Sequence, residues 1–113
     1  MPDIILASGS TIRAQLLKDA GVDFSIQIPR VDERAIQQSL LAEQAKPADI
    51  ADTLAEYKAR HVANKFPSAT IIAADQVLAC NGTIFSKPAT MDEAREHLTR
   101  LRGEGHQLLS AVV

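Results

Sequence analysis

The residues with the clearest capacity for chemistry lie in the segment 70–88, where a charged side chain interrupts an apolar strand pattern. Asp75 follows the apolar run 71–74 and, together with Gln76, precedes a second apolar run at 77–79. A carboxylate is costly to bury unless it is paired, hydrogen-bonded or bound to a metal. The pattern alone leaves two interpretations open: a structural aspartate held by a salt bridge or by backbone amides, or a working carboxylate that faces a polar cleft.

A tight turn follows this strand and returns the chain toward Asp75. Asn81-Gly82 is the strongest short-range signal for a two-residue hairpin, because both central positions of that turn require a positive φ. The return arm, 83–85, leads to Lys87 in the sequence Ser86-Lys87-Pro88. We expect the hairpin to bring Lys87 close to Asp75.

A second candidate site is the loop that follows the first predicted strand, 4–7. The loop residues, Ser8-Gly9-Ser10-Thr11, are small or carry hydroxyls, and they open a helix predicted over 12–20. Free N–H groups and the positive end of the helix dipole favour an anion at such a helix start. Arg13 can add a forked donor for phosphate. A well-capped helix with a solvated arginine is the alternative, since small-residue loops before helices are common.

Two further positions carry charges that a binding site can use. Asp32 and Glu33 are adjacent carboxylates after a strand predicted over 24–28, and such oxygens suit a hard divalent cation. A solvated loop is the more common outcome for a charge run of this kind. Lys58 lies at the border of the apolar stripe of a helix predicted over 47–65, where a lysine usually extends to solvent but can also reach a phosphate.

Strand and helix patterns alternate along the chain, which predicts an α/β or α+β domain. Of the two we expect the α/β class, with a mixed, twisted sheet flanked by helices. Further helices are predicted over 36–45 and after the capping box Thr90-Met91-Asp92-Glu93, and a final strand over 106–113. Apolar spacing also predicts the inward faces of three helices: Ile12, Leu16, Leu17 and Ala20 in the first, Ile50, Leu54, Tyr57, His61 and Val62 in the longest, and Ala94, Leu98 and Leu101 in the last.

The overall composition, 46% hydrophobic and 23% charged, is that of a soluble globular protein with a single domain over 1–113. A net charge of −2 argues against a broad surface for nucleic acid or for an anionic membrane. Cys80 is the single cysteine and we expect it to pack at a strand end. Without a signal-peptide pattern or a run of about 20 apolar residues, a cytoplasmic location is expected.

An ordered set of short motifs extends from the first strand to the end of the sequence. It consists of Leu6-Ala7-Ser8-Gly9-Ser10 with Arg13, Val31-Asp32-Glu33, Leu54-Ala55-Glu56-Tyr57-Lys58-Ala59, Ala74-Asp75-Gln76-Val77, Asn81-Gly82, Lys87-Pro88, Glu93-Ala94, and Leu101-Arg102-Gly103 with His106. No single motif is specific. Together, in this order and spacing, they resemble the Maf-like family of nucleoside triphosphate pyrophosphatases.

The resemblance implies a Maf/ITPase-like fold and a metal-dependent hydrolase of nucleotide metabolism. Such an enzyme cleaves a nucleoside triphosphate between the α and β phosphates and releases a nucleoside monophosphate and pyrophosphate, which removes noncanonical or modified nucleotides. By resemblance, Asp75 is the proton acceptor, and Glu33 joins it in binding Mg²⁺ or Mn²⁺. Relatives also suggest a homodimer.

The remaining site residues implied by the resemblance contact the substrate. Arg13, Lys58 and Lys87 would neutralise the triphosphate and the leaving pyrophosphate, and Ser8 with the loop amides would complete the phosphate cradle. Gln76 occupies a position at which enzymes acting on dTTP and UTP usually carry Thr, and it resembles the branch that acts on 7-methyl-GTP.

Two departures from the family pattern affect these expectations. Many relatives read Ser-Pro-Arg-Arg where this chain has Ser10-Thr11-Ile12-Arg13, so Ile12 replaces an arginine and leaves the base preference open. Family members also continue beyond this length, and since the sequence ends within an apolar strand, we expect a C-terminal portion of the fold to be missing. A non-catalytic nucleotide-binding or septum-regulating protein, or an inactive fragment, therefore remains the alternative to the enzyme.

Overall fold

The computed structural model describes residues 3–113, over which helices and strands alternate. This arrangement confirms the predicted α/β class. The elements in chain order are β1 (Ile4–Ala7), α1 (Thr11–Asp19), β2 (Ser25–Gln27), α2 (Glu33–Ala42), α3 (Pro47–Ala63), β3 (Thr70–Ile72), β4 (Ala74–Cys80), β5 (Thr83–Phe85), α4 (Met91–Leu101) and β6 (Gln107–Val112). No helix within residues 3–113 is long and apolar enough to cross a membrane.

The described strands form two small sheets that share one continuous segment of chain. The first sheet is parallel, in the order β2-β1-β3, and the second is antiparallel, in the order β5-β4-β6. β3 and β4 follow each other directly, separated only by Ala73, which exchanges two backbone hydrogen bonds of 2.9 Å with Val113. The mixed character predicted for the sheet is therefore divided between a parallel and an antiparallel part that join at Ala73.

The hairpin predicted at Asn81-Gly82 is present between β4 and β5. Asn81 and Gly82 have φ values of 50° and 77°, as a turn with two left-handed central residues requires. Cys80 pairs with Thr83 directly beside the turn, and its buried side chain confirms its role in packing at a strand end.

The long helix α3 packs against both sheets and forms the core with them. Its first half contributes Ile50 and Leu54 to a cluster with Val77 of β4, and its second half contributes Ala59 and Val62 to a cluster with β1. Each fully buried aliphatic side chain of this size contributes about 1.5–3 kcal/mol. Because α3 crosses from one sheet to the other, the residues at its middle face the junction of the two sheets.

The predicted inward faces are wrong at several positions. Ile12 and Leu16 of α1 are exposed, as are Tyr57 of α3 and Leu98 of α4. An apolar stripe is buried only where another element lies against it, and the element that meets α4 is β5, whose Phe85 ring contacts His97 with a centroid separation of 5.0 Å. His97 thus takes the place of the predicted Leu98 on the contact face of α4, whereas the predicted Ala94 and Leu101 are half-buried.

Helix starts follow the predicted caps, with one correction. Thr90 accepts a hydrogen bond from the N–H of Glu93 at 3.1 Å, as a capping box requires, although the carboxylate of Glu93 accepts from Ala89. The predicted start of α2 is wrong because Asp32 accepts from the N–H of Ala35 at 3.0 Å. This cap begins the helix at Glu33 and removes the adjacent carboxylates from the predicted loop.

Candidate functional site

The carboxyl ends of the parallel strands bring several candidate residues to one edge of the first sheet. Leu6 of β1 lies opposite Ile72 of β3, so Ser8, just after β1, and Asp75, just after β3, lie at the same edge. Glu33 begins the helix that follows β2. Ligands of open α/β sheets bind in the crevice beyond the carboxyl ends of their strands, which makes this edge the candidate site.

The centre of the site is a lysine between two carboxylates. The Nζ atom of Lys58 lies 2.7 Å from Oε1 of Glu33 and 3.1 Å from Oδ1 of Asp75. It also donates to the backbone oxygen of Ala74 at 3.2 Å. The side chain of Lys58 is 8% exposed, that of Asp75 is 13% exposed and that of Glu33 is 50% exposed. One positive and two negative groups therefore meet in a site that is closed around the lysine and open at Glu33.

Each member of this cluster is placed by the packing of its own element. Side chains alternate along β4, so Asp75 points to the same side as Val77, which packs on α3. Lys58 lies one turn after Leu54 on the buried stripe of α3, and it therefore points at the junction of the sheets. Glu33 is held in the first turn of α2 by the Asp32 cap.

The loop after β1 has the hydrogen bonds of a structured helix start. The buried Ser8 accepts at Oγ from the N–H of Ser10 at 3.0 Å, and Oγ of Ser10 accepts from the N–H of Arg13 at 3.2 Å. The well-capped helix that the sequence suggests is thus present. The N–H groups of Gly9 and Ile12 have no hydrogen-bond acceptor within residues 3–113, so the loop retains donors for an anion.

A surface cleft of about 610 Å³ opens beside this loop, between α1 and β2. Its lining combines hydroxyl and charged groups of the loop and of α1 with apolar residues at and around β2: Ser8, Ser10, Thr11, Lys18, Phe24 and Ile26. Neither Glu33 nor Asp75 lines it. The cleft has the size of a small-molecule site, and Ser8 belongs both to its lining and to the strand edge that bears Asp75.

Lys87 makes no ion pair, within residues 3–113, with Asp75, the carboxylate with which the sequence associates it. The side chain of Lys87 is exposed, and Asp75 pairs with Lys58 instead. The preceding residue, Ser86, accepts a hydrogen bond from Nε2 of Gln37 at 3.2 Å. Because Gln37 lies one turn after Glu33 on α2, this bond brings the segment of Lys87 to the Glu33 side of the site.

Gln76 lies on the opposite face of β4 from Asp75. It is exposed, and its Nε2 donates to Oγ of Ser110 at 2.8 Å, its directly opposite neighbour on β6. Gln76 therefore does not join the carboxylate cluster within the described residues. Its carboxamide is held on the open face of the antiparallel sheet, where its oxygen is available as an acceptor.

Local sequence patterns do not single out Gln37, Ser86 or Ser110. Each acquires its role through a partner on another element, and these partners become visible only when the strand register and the position of α2 are known. The burial of Lys58 has a sequence signal in its spacing from Leu54, one turn earlier on the same stripe. The signal is weak because a lysine at the edge of a stripe more often reaches solvent.

Comparisons with known proteins agree with the ordered motifs. The sequence model of a family described as Maf-like protein matches residues 3–113. A nucleoside triphosphate pyrophosphatase of Ruegeria sp. (strain TM1040) is 54% identical over 110 residues, which are 97% of this chain and 55% of that protein. A 7-methyl-GTP pyrophosphatase of Rhizobium meliloti (strain 1021) is 46% identical over 112 residues, 99% of this chain and 56% of that protein. The chain thus spans about half the length of these curated relatives.

Proposed function

The chain belongs to the family of Maf-like proteins, and from that premise we propose that the protein hydrolyses a nucleoside triphosphate to a nucleoside monophosphate and pyrophosphate. The observation that carries the proposal is the convergence of Glu33 and Asp75 at the strand edge that also bears the Ser8 loop. Carboxylates can accept a proton or bind a cation, and a donor-rich helix start can hold a phosphate. The names of the similar pyrophosphatases support the same reaction.

The catalytic step in this proposal is the addition of water across the anhydride between the α and β phosphates. Asp75 accepts a proton of the water, while the water oxygen forms a bond to the α phosphorus and the bond from that phosphorus to the α–β bridging oxygen breaks. Pyrophosphate leaves with the electron pair of that bond. Arg13 and Lys87 neutralise the charge that develops on the phosphates, and the N–H groups and hydroxyl of the Ser8 loop orient them.

Glu33 and Asp75 fit a divalent cation as a pair of carboxylates. Residues 3–113 contain no group of three or more His, Cys, Asp and Glu side chains able to hold a metal. Mg²⁺, however, is commonly bound by one or two carboxylates together with substrate phosphates and water. Oε1 of Glu33 and Oδ1 of Asp75 face the ammonium of Lys58, which leaves the second oxygen of each carboxylate for a cation. The chemistry that Mg²⁺ or Mn²⁺ supplies when bound is a more acidic water and neutralised phosphate charge.

The test of this function follows pyrophosphate release by the complete protein with Mg²⁺ or Mn²⁺. The substrates are a panel that includes dTTP, UTP and 7-methyl-GTP. We expect release from at least one of them and a decrease of at least about 100-fold in Asp75→Asn, because general-base catalysis contributes at least that factor. The thermal midpoint of Asp75→Asn should stay near that of the wild type, since Asn retains an acceptor for Lys58.

A matched control replaces an exposed aspartate elsewhere in the chain. Asp52→Asn lies on α3 and is exposed, so its rate should remain within about twofold of the wild type. Equal rates for Asp75→Asn and the wild type would remove Asp75 from the mechanism. If the wild type binds a triphosphate tightly but releases no pyrophosphate, the result would contradict the enzymatic function and favour a nucleotide-binding role.

A further inference from the structure

We propose that Lys58 is a positioning residue that holds Glu33 and Asp75 together as one unit and does not bind the triphosphate. The inference deepens the proposed function and rests on it, because it assigns a task to Lys58 within that same site. It differs from the expectation of the sequence, in which Lys58 neutralises phosphate together with Arg13 and Lys87.

Three oxygens of this chain already contact the ammonium of Lys58: two accept hydrogen bonds, and the third, from Glu33, forms an ion pair. A lysine ammonium has three N–H donors and no acceptor. In the structure three oxygens lie within 3.2 Å of Nζ, those of Glu33, Asp75 and the backbone of Ala74. A phosphate oxygen could approach only by replacing one of these acceptors. It would leave Asp75 or the carbonyl of Ala74 unpaired in the closed part of the site, or it would break the ion pair with the half-exposed Glu33.

Burial separates Lys58 from the cations that can meet a ligand. Lys58 is 6% exposed, whereas Lys87 is exposed and Arg13 is half-buried. Neither Lys87 nor Arg13 has an ion-pair partner within 4.0 Å in the part of the chain that the structure describes. The charges of Arg13 and Lys87 are therefore free to meet a triphosphate, whereas the charge of Lys58 is directed inward.

The ammonium makes polar contacts to three elements, in addition to the apolar packing of α2 against the cluster of α3 and Val77. Glu33 begins α2, Lys58 lies on α3 and Asp75 lies on β4. Two carboxylates that approach one point repel each other, and the repulsion is strongest where water is excluded, as at Asp75. Lys58 offsets this repulsion and fixes the distance between the two groups. Without it, Glu33 would be placed only by the packing of α2.

The experiment measures turnover and ligand affinity separately in the complete protein. Lys58→Met is compared with the wild type for kcat at saturating substrate and for the Kd of an unreactive nucleotide with a methylene bridge between the α and β phosphates. We expect kcat to decrease by about 100-fold, since a misplacement of about 1 Å in a catalytic group can have that effect. The Kd should stay within about threefold of the wild type.

Two lysine variants give this measurement its controls. Lys65→Met removes an exposed charge beyond the end of α3 and should change neither quantity. Lys87→Met removes a cation assigned to the phosphates and should raise the Kd instead. If Lys58→Met does not fold, Lys58→Gln retains two N–H donors without the charge and takes its place, with the same pattern expected.

The outcomes that overturn the inference are distinct from those that overturn the function. An unchanged kcat in Lys58→Met, or a Kd raised by more than about tenfold, would show that Lys58 is not a positioning residue of this kind. If the wild type releases no pyrophosphate, the proposed function fails by itself. The Kd comparison then still decides whether Lys58 binds phosphate, because it requires no turnover, and a thermal-unfolding cycle of Lys58→Met with Asp75→Asn decides whether the two side chains are coupled.

Discussion

At the scale of single residues, Asp75 has features of both interpretations that its sequence pattern leaves open. It is held by a salt bridge to a buried lysine, as a structural aspartate would be, and it lies at the strand edge where ligands bind. The sequence predicts a polar group in an apolar strand, but it cannot identify the partner, because Lys58 comes from another element. The same limit explains why the sequence leaves Lys58 open between extending to solvent and reaching a phosphate, whereas the structure buries it against two carboxylates.

Gln76 provides a prediction about base preference that belongs to this scale. Its Nε2 is bound to Ser110, so its oxygen is held as an acceptor on the open face of the sheet. We expect Gln76→Thr to change the ranking of pyrimidine and 7-methylguanosine triphosphates, because Thr cannot present an amide there. Relative kcat/KM values across the substrate panel measure the change.

Ser110→Ala is the matched variant for this prediction. It leaves the amide of Gln76 in place but frees it to rotate, so the ranking should move in the same direction by a smaller factor. One hydrogen bond of this kind contributes about 0.5–1.5 kcal/mol, which corresponds to about a 2- to 10-fold change in relative kcat/KM. Unchanged rankings in both variants would show that Gln76 does not contribute to base selection.

At the scale of elements, the loop that carries Lys87 is restrained at both ends. At its start Phe85 is buried beneath α4, with the guanidinium of Arg100 4.8 Å from the ring centroid. Gln37 of α2 holds Ser86, and the carboxylate of Glu93 accepts from Ala89 before α4 begins. The loop is thus fixed relative to α2 and α4, although Lys87 itself makes no ion pair within residues 3–113.

The bond between Gln37 and Ser86 can be tested by its effect on substrate binding. Gln37→Ala should free the Lys87 segment and raise KM by about 2- to 10-fold, the factor expected for one hydrogen bond, with a smaller change in kcat. The measurement is steady-state kinetics of the complete protein. Gln38→Ala changes an exposed neighbour on the same helix and should leave KM unchanged. A KM that is equal in both variants would contradict a role for this bond.

The elements themselves are largely predictable, and their contact faces are not. Strand β1, the hairpin turn and the cap at Thr90 depend on local chemistry, so their positions follow from the sequence. Which side of a helix is buried depends on what packs against it, and for this reason the exposure of Leu16 and Leu98 could not be predicted. The start of α2 is only partly predictable. The cap formed by Asp32 is a local feature, but it lies within a charge run that is more often a solvated loop.

At the scale of the whole molecule, α3 contacts both sheets, and we expect the two sheets to unfold as one cooperative unit. Its residues enter both hydrophobic clusters, and the segment through Ala73 is common to both sheets. Loss of packing at one end of the helix should therefore be transmitted to the other end. The antiparallel sheet and the parallel sheet are expected to open together.

Leu54→Ala tests this cooperativity. Leu54 is buried among the residues that α3 packs on the antiparallel sheet, and its truncation should lower the free energy of unfolding by about 2–5 kcal/mol. Hydrogen exchange should then accelerate by similar factors at amides of β1 and of β4. Tyr57→Ala, at an exposed position on the same helix, should change stability by about 0.5 kcal/mol or less. Acceleration confined to β4 would contradict a single unit.

Distant segments of the chain meet at Lys58, and we therefore expect the candidate site to form late in folding. β1 pairs with β3 through Ile4 and Thr70, and the acidic groups around Lys58 come from separate parts of the chain. Such non-local contacts require loop closure before they contribute stability, and they form slowly. The hairpin and the helices, by contrast, rely on neighbouring residues. During synthesis, α1 and α3 can therefore form early, while the residues that would react with substrate meet only after the segment beyond Thr70 has emerged and paired.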